Sequence, residues 1–218
     1  GKVAVRFPRA ALGANTVRVL ATRPSIQIFD LERALATPKP AASMYQLLAP
    51  QQPSVEFKGA DQWELFDTKT KMLVAGPAAN PDTLFKTAVA KRRQIKPGTP
   101  PYVVFGVPKG TVVVACGSGT GMCPGRFGSR GRAWYLLKSD APITTADVSG
   151  ATLESDPARG PIVAVHLSQR GQEELRQLTK ALYQRGGREQ LPQHLAIVLA
   201  GKIVGFPQID FTDKSLAA

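Results

Sequence analysis

The sequence predicts an α+β protein in which helices cover one face of an antiparallel sheet. Short runs with strand-like alternation recur along the chain, and one strongly amphipathic helix pattern lies in the C-terminal third. Passages rich in Pro, Gly and Ala separate these segments. A helix with a single apolar stripe must bury that stripe against a sheet, so it belongs on one face. With 218 residues, 43% of them hydrophobic, the chain can bury one good core or two small ones.

The N-terminal third predicts short strands and one helical turn. Residues 25–29 (SIQIF) alternate as a strand, and residues 44–48 favour a helical turn. Residues 55–57 also have a strand-like composition. Residues 63–66 and 72–74, on either side of the turn DTKTK, are typical of a hairpin or meander.

The middle of the chain predicts one helix followed by strands. The helix runs from about residue 81 to 93, begins at Pro81 and is capped by Asn80. Residues 108–110 (PKG) have the composition of a tight turn between two strands. The predicted strands of this part are residues 102–107, 111–115 and 133–137.

The C-terminal third has the clearest pattern and predicts a β-α-β-β unit. Residues 161–167 form a strand, a helix follows from Ser168 to about residue 184, and residues 195–199 and 202–205 form two more strands. The glycine pair at 186–187 is expected to end the helix. The apolar stripe of the helix comprises Leu175, Leu178, Leu182 and Tyr183.

Positive charge is concentrated in the middle of the chain. The formal net charge is +12, and residues 83–139 contain ten basic residues and no Asp or Glu. One interpretation is a solvated basic face that keeps the protein soluble. The other is a surface that contacts an anionic partner, such as nucleic acid, lipid head groups or an acidic protein segment.

The glycine-rich stretch at residues 116–132 (CGSGTGMCPGRFGSRGR) does not have the pattern of a nucleotide site. A phosphate-binding loop ends in Lys-Ser/Thr and leads into a helix, whereas this stretch lacks that ending and leads into a predicted strand. A zinc site needs four ligands at paired spacings, and Cys116, Cys123, His166 and His194 are unrelated in spacing. We therefore expect no metal and no cofactor.

Catalytic residues are not apparent either. His166 alternates with apolar residues on a predicted strand, and His194 precedes another strand. Neither has a recognisable nucleophile and acid partner in sequence. Glu173 and Glu174 suit the first turn of the predicted helix, where carboxylates favour the helix dipole. The sequence predicts a binding protein and not an enzyme, with a hydrolase of unrecognised site as a minor alternative.

No apolar run approaches the roughly 18 to 20 residues of a membrane-spanning helix. The first ten residues also lack the apolar region and small-residue cleavage site of a signal peptide. The sequence therefore predicts no membrane span within this chain.

An ordered series of motifs resembles the extracytoplasmic domain of SecD, the membrane subunit that assists protein export together with SecF. The series begins with residues 134–138 (WYLLK) and 145–148 (TADV), continues with 170–179 (RGQEELRQLT), and ends with 195–207 (LAIVLAGKIVGFP). The resemblance covers roughly residues 134–210. This chain has Ala200 where the family usually has Asp. We therefore expect a type II turn or bulged loop there, with a positive φ only at the next residue, a glycine.

The resemblance implies a ferredoxin-like base built from both chain ends, residues 1–80 and 151–218, with a β-rich basic head inserted at residues 81–150. It implies a domain on the extracytoplasmic side of the cell membrane that contacts the exported, unfolded polypeptide and promotes its forward movement. SecF-like and translocon subunits would be reached through transmembrane helices that this chain does not contain. Proton coupling is expected to reside in those helices.

An extracytoplasmic location is oxidising, which permits disulfides. Cys116 and Cys123 are the two cysteines of the chain, and they flank a glycine-rich turn. We expect a Cys116–Cys123 disulfide, worth on the order of 2.5 kcal/mol by restriction of the unfolded loop. Two free buried thiols are the alternative.

The expected contact surface for polypeptide, or for anionic lipid head groups, is the basic segment. A nucleic-acid-binding module is the alternative, although no recognised reader motif accompanies the charge. The residues predicted for this surface are Lys91, Arg92, Arg93, Lys96, Arg126, Arg130 and Arg132, around Phe127.

Overall fold

The computed structural model describes residues 2–5, 25–33, 41, 43–52, 59–116, 133–156 and 160–213. Within these ranges the fold is α+β, rich in strands, with few helices. The helices are α1 (Met44–Leu48), α2 (Pro81–Phe85), α3 (Ala88–Arg92) and α4 (Gln169–Glu189). The strands are β1 (Lys2–Val5), β2 (Ile26–Asp30), β3 (Ala60–Asp67), β4 (Met72–Ala78), β5 (Tyr102–Pro108), β6 (Thr111–Cys116), β7 (Ala133–Lys138), β8 (Ile143–Thr144), β9 (Val148–Asp156), β10 (Gly160–Leu167), β11 (Gln193–Leu199), β12 (Lys202–Gly205) and β13 (Gln208–Ile209).

The largest sheet contains seven strands in the order β7-β6-β12-β11-β2-β8, with β13 paired to β11. All its pairings are antiparallel except that of β12 with β6, which is parallel. The parallel pair joins Lys202 to Ala115 and Ile203 to Cys116. One sheet therefore combines strands from the beginning, the middle and the end of the chain.

Helix α4 covers one face of this sheet. The predicted stripe is confirmed, because Leu182 is fully buried and Leu175, Leu178 and Tyr183 pack on the same core cluster. The helix begins at the predicted cap, where the Ser168 side chain accepts a hydrogen bond from the Gly171 N–H at 3.1 Å. The sheet contributes Ile28, Ile143, Leu195, Ile197 and Ile209 to that core.

A separate three-stranded sheet has the order β4-β3-β5, with all strands antiparallel. Helices α2 and α3 cover one of its faces, where Leu65 of β3 packs against Leu84 and Ala90. On the other face, Phe66 and Phe105 join a core that includes the two buried leucines of α1 and Leu136 of β7. This second core ties the small sheet to the large one.

The third sheet has the order β1-β10-β9 and is also antiparallel. Strand β10 leads into α4, so the chain order β10-α4-β11-β12 matches the predicted β-α-β-β unit. However, β10 pairs with β1 and β9, whereas β11 and β12 belong to the large sheet. Helix α4 therefore spans two sheets instead of connecting strands of one.

Two predicted helix bounds are wrong. The helix predicted over residues 81–93 is divided into α2 and α3, because Thr87 adopts an extended conformation and caps the second helix. Helix α4 continues through Gly186 and Gly187 and ends at Glu189, followed by the C-cap Gln190, whose φ of 54° is left-handed. Gly186 is retained within the helix because its missing side chain lets the Leu191 backbone and Phe211 approach closely.

The turn between β11 and β12 also differs from the prediction. Both Ala200 and Gly201 have positive φ, 48° and 74°, as in a type I′ turn, so the expected type II turn is wrong. Leu199 pairs directly with Lys202, which leaves only two residues for the connection. The twist of a two-residue hairpin favours the type I′ turn even though Ala suits it poorly.

The predicted division of the chain at residues 81 and 151 does not coincide with these sheets. Position 81 separates α2 from the strands on which it packs, and position 151 lies inside β9. Strands β6 and β7, from the predicted head, are part of the large sheet. The unit closest to a structural insertion is the small sheet with its two helices, residues 59–108. The predicted strand at residues 55–57 lies outside the described residues.

Candidate functional site

The basic segment predicted to contact a partner begins on α2 and α3 of the small sheet. The Asn80 side chain accepts a hydrogen bond from the Asp82 N–H at 2.8 Å, and Pro81 occupies the first turn of α2. Thr87 caps α3 by accepting from the Ala90 N–H at 3.3 Å. The caps thus position two short helices one after the other above the sheet.

Burial of the apolar side chains holds these helices on the sheet and leaves the charged ones outside. Leu84, Ala90 and Ile95 are buried against Leu65. The structure places half of the predicted contact residues together, at the end of α3 and in the segment directly after it, within residues 91–96. These exposed residues are Lys91, Arg92, Arg93 and Lys96.

No described carboxylate lies within 4.0 Å of any of these four cations. The ion pairs of the described ranges occur elsewhere, at Arg170, Arg176, Arg185 and His194. Positive charges that no nearby carboxylate neutralises produce a positive electrostatic potential. This potential attracts anionic groups over about a Debye length, near 8 to 10 Å in physiological salt. The α3 cations are therefore suited to weak, salt-sensitive contact with an acidic partner.

The other half of the predicted surface lies outside the described residues, namely Arg126, Phe127, Arg130 and Arg132. Their proximity to α3 stays a prediction. Cys116 ends β6 in a fully buried position and is disulfide-bonded. Its predicted partner, Cys123, lies outside the described residues, so the Cys116–Cys123 pairing also stays a prediction.

Strand β4 is a feature that sequence analysis did not assign to function. In the part of the chain that the structure describes, β4 pairs with β3 on one side only. Met72 and Leu73, at its first two positions, are 65% and 43% exposed. In the sequence, the apolar run directly after DTKTK predicted a strand at this position. It did not indicate that the first residues of the strand are exposed.

A buried carboxyl group on β3 was also missed. Glu64 is only 3% exposed, and its Oε2 atom has no hydrogen-bond partner among the described residues. Burial raises the pKa of Glu64 to about 7. A side chain at Gly76, on β4, would collide with this carboxyl, so the glycine makes room for it. The β3–β4 pairing is irregular on both sides of Leu65, close to this contact.

The most connected polar group in the described structure is Arg185 of α4. Its guanidinium donates to both carboxylate oxygens of Asp30, at 2.6 and 2.9 Å, and its Nε–H donates to Gln193. The Asp30 carboxylate raises the pKa of Arg185 above its usual value. Glu32 lies 3.8 Å from the guanidinium and 2.8 Å from Nδ1 of His194. This network joins α4 to β2 and β11, which is a structural role.

The motif residues 145–148 have a structural role as well. The Asp147 carboxylate accepts hydrogen bonds from the Thr144 N–H at 2.9 Å and from its hydroxyl at 3.2 Å. The Asp147 carbonyl accepts from the Ser168 N–H at 2.8 Å. Asp147 therefore fixes the start of α4 relative to β8.

The remaining candidate residues have ordinary partners. His166 lies 3.2 Å from the Thr152 hydroxyl, on exposed parts of β9 and β10. Glu173 is bound by Arg176 and Gln177, and the hydrogen bond from Arg176 holds the pKa of Glu173 down to about 2. The described side chains include no group of three or more potential metal ligands. None of the described helices is both long and apolar enough to cross a membrane.

Comparison with known proteins gives one family match. The family model described as SecDF, P1 head subdomain matches residues 123–214. No curated protein and no solved structure matches this chain. The matched range includes β7 to β13 and α4, and thus the motifs of the resemblance.

The matched range overlaps the predicted head only at residues 123–150 and continues through the part predicted as base. The division into base and head stays a prediction. The family match supports a role in protein translocation and gives no support to the nucleic-acid alternative. SecDF proteins are associated with the membrane, and their P1 head is extracytoplasmic. Residues 123–214 of this chain are therefore similar to the P1 head subdomain of the SecDF family, which supports assignment of this part to a SecD/SecDF-type extracytoplasmic domain.

Proposed function

We propose that this chain is a non-catalytic, extracytoplasmic part of a SecD-like export factor that contacts the exported polypeptide and promotes its forward movement. The family match at residues 123–214 is the observation that carries this proposal. In this proposal SecF-like and translocon subunits are the membrane partners. The ferredoxin-like base formed by the chain ends is part of the same proposal.

The four exposed cations near α3 provide the contact for acidic stretches of the polypeptide. They lie outside the matched range, on the small sheet, and lack carboxylate neighbours among the described residues. Long flexible side chains in water give weak contacts that are tolerant of sequence, because each ion pair at an exposed site contributes only about 0 to 1 kcal/mol. Weak contacts of this kind suit an unfolded polypeptide that moves along the surface of the protein during export.

The experiment measures binding of a fluorescent, permanently unfolded acidic polypeptide, such as a reduced and carboxymethylated globular protein, by fluorescence anisotropy. The test variant carries Lys91→Gln, Arg92→Gln, Arg93→Gln and Lys96→Gln together. The matched control removes four exposed cations elsewhere, at Lys109, Lys138, Arg188 and Lys202. Both variants have the same net charge. A difference in their binding would therefore be caused by the position of the removed cations and not by the overall charge.

The test variant is expected to bind about tenfold more weakly than the wild type, and the control within about twofold. Equal losses in the two variants would assign binding to net charge alone. Single-stranded DNA and vesicles containing anionic lipid are measured in parallel between about 50 and 200 mM salt. Tight binding to DNA without binding to polypeptide would contradict the proposed function.

A further inference from the structure

Among the described strands, β4 has a partner on one side only, and its other edge is open in one half and blocked in the other. Natural sheet edges are protected by proline, bulges or charged residues, because exposed backbone groups would otherwise pair with other chains. In β4 the protected half contains Gly76, with a φ of 135°, and Pro77, which has no N–H to donate. Residues 72–75 contain no proline and no charged residue, and they include the two exposed apolar side chains Met72 and Leu73. The pairing of β4 with β3 shifts register between Leu73 and Ala75, so only the first two positions precede an irregularity.

Helices flank this open half on both faces of the sheet. Helix α3 packs on β4 from one face and carries Lys91 and Arg92, which are exposed. Helix α1 contacts β4 as well and belongs to the apolar core of the opposite face, with Met44 and Tyr45 half-buried. A strand added beside β4 would thus have a cationic helix on one side and an apolar one on the other.

The turn before β4 adds positive charge at the same end. Lys69 and Lys71 are exposed, and Lys71 is the residue directly before the strand. The Asp67 carboxylate is occupied within the turn, where it accepts from the Lys69 N–H at 2.8 Å and the Thr70 N–H at 3.1 Å. The charge around the open edge therefore complements an acidic segment.

We propose that residues 72–75 of β4 bind an extended acidic segment of unfolded polypeptide as an added strand of the small sheet. Backbone hydrogen bonds supply affinity that is independent of sequence, and alternate side chains point to opposite faces. Acidic side chains then lie beside α3 and apolar ones beside α1. This inference rests on the proposed function for the nature of its ligand, and it adds the binding mode.

The probe is a fluorescent peptide of about eight residues in which Glu and Val alternate, a length typical of one strand. A peptide of the same composition with its Glu and Val residues in two blocks is the sequence control. Two further peptides are N-methylated at every second residue, one at the odd and one at the even positions. Because a strand uses only alternate N–H groups toward one neighbour, one of these two should bind and the other should not.

The alternating peptide is expected to bind about tenfold more tightly than the block peptide, and one N-methylated form should lose about tenfold or more. Met72 pairs with Asp67 on the face of the sheet that carries α3, so Met72→Glu should weaken binding by a factor of about three to ten, whereas Met72→Lys should not, since only the former repels the acidic side chains there. Leu191→Glu, at an exposed leucine beyond the C-terminal end of α4, is the matched control and should have no effect. Both positions are exposed, so the three variants should fold.

Equal binding of both N-methylated peptides, or equal binding by the two Met72 variants, would overturn the strand-addition mode while leaving the proposed function in place. Failure of every acidic polypeptide to bind would overturn both. Sedimentation of the wild type is measured alongside. If the wild type is a dimer that Met72→Glu dissociates, and the peptide cannot displace the second copy, the edge would be assigned to a second copy of this chain. That result would also overturn the proposal.

Discussion

Substitution of Gly171 by Ala tests how closely α4 must approach the motif at residues 145–148. Gly171 is buried in the first turn of α4. An added Cβ would lie 2.8 Å from the Asp147 carbonyl oxygen and 2.9 Å from the Asp147 Cβ. It would also lie 3.3 Å from the Cβ of Leu167. Asp147 cannot move away easily, because its carbonyl accepts from Ser168 and its carboxylate from Thr144.

The expected magnitude follows from two opposing effects. Alanine is favoured over glycine by about 0.5 to 1 kcal/mol in a helix interior. Forcing a methyl group into a packed site costs about 1 to 3 kcal/mol. Loosening the hydrogen bond between Ser168 and Asp147 adds about 1 kcal/mol. The net loss in the free energy of unfolding is therefore about 1 to 3.5 kcal/mol, or a Tm lower by about 3 to 10 °C for a chain of this size.

Gly187→Ala is the matched control in the same helix. Gly187 is exposed, and an added Cβ there would meet no atom within 4 Å. This variant should gain up to about 1 kcal/mol from helix propensity alone. The free energies of unfolding are obtained from urea titrations followed by circular dichroism. If Gly171→Ala were as stable as Gly187→Ala, the close contact between α4 and Asp147 would not be a constraint.

Three further predictions concern stability and are measured by urea unfolding. Ala200→Asn should raise the free energy of unfolding by about 0.5 to 1 kcal/mol, since Asn tolerates the φ of 48° better than Ala; an unchanged or lower stability would contradict the positive φ. Burial raises the pKa of Glu64 from 4.5 to about 7, so the folded state retains a proton that the unfolded chain releases above pH 4.5. Stability should therefore fall, by about 3 kcal/mol at most, as the pH rises from 4.5 to 7, and stay level above that range. Glu64→Gln should remove most of this fall, and an identical pH profile in the variant would refute the assignment. Arg185→Met should cost about 2 to 4 kcal/mol by leaving Asp30 buried without its partner, and Arg185→Lys should cost less because the charge remains. A loss under about 0.5 kcal/mol in Arg185→Met would show that the network contributes little.

The sequence by itself determined the elements of this protein and the identity of its motifs. The stripe of α4, its cap at Ser168, and the strands around SIQIF and LAIVL depend on residues within a few positions of one another. Such local patterns are present in the order of residues alone. The clustering of positive charge near α3 was predictable for the same reason, because its four cations lie within six consecutive positions.

Only the tertiary structure decided how these elements combine. The parallel pairing of β12 with β6 and the placement of β10 in another sheet depend on contacts between segments far apart in sequence. The burial of Glu64 and the open half of β4 follow from which neighbour a strand has, and periodicity cannot specify that neighbour. The passage of α4 through Gly186 depends on the approach of Phe211. In each case the outcome is set by the burial of surfaces that meet only after the chain has folded.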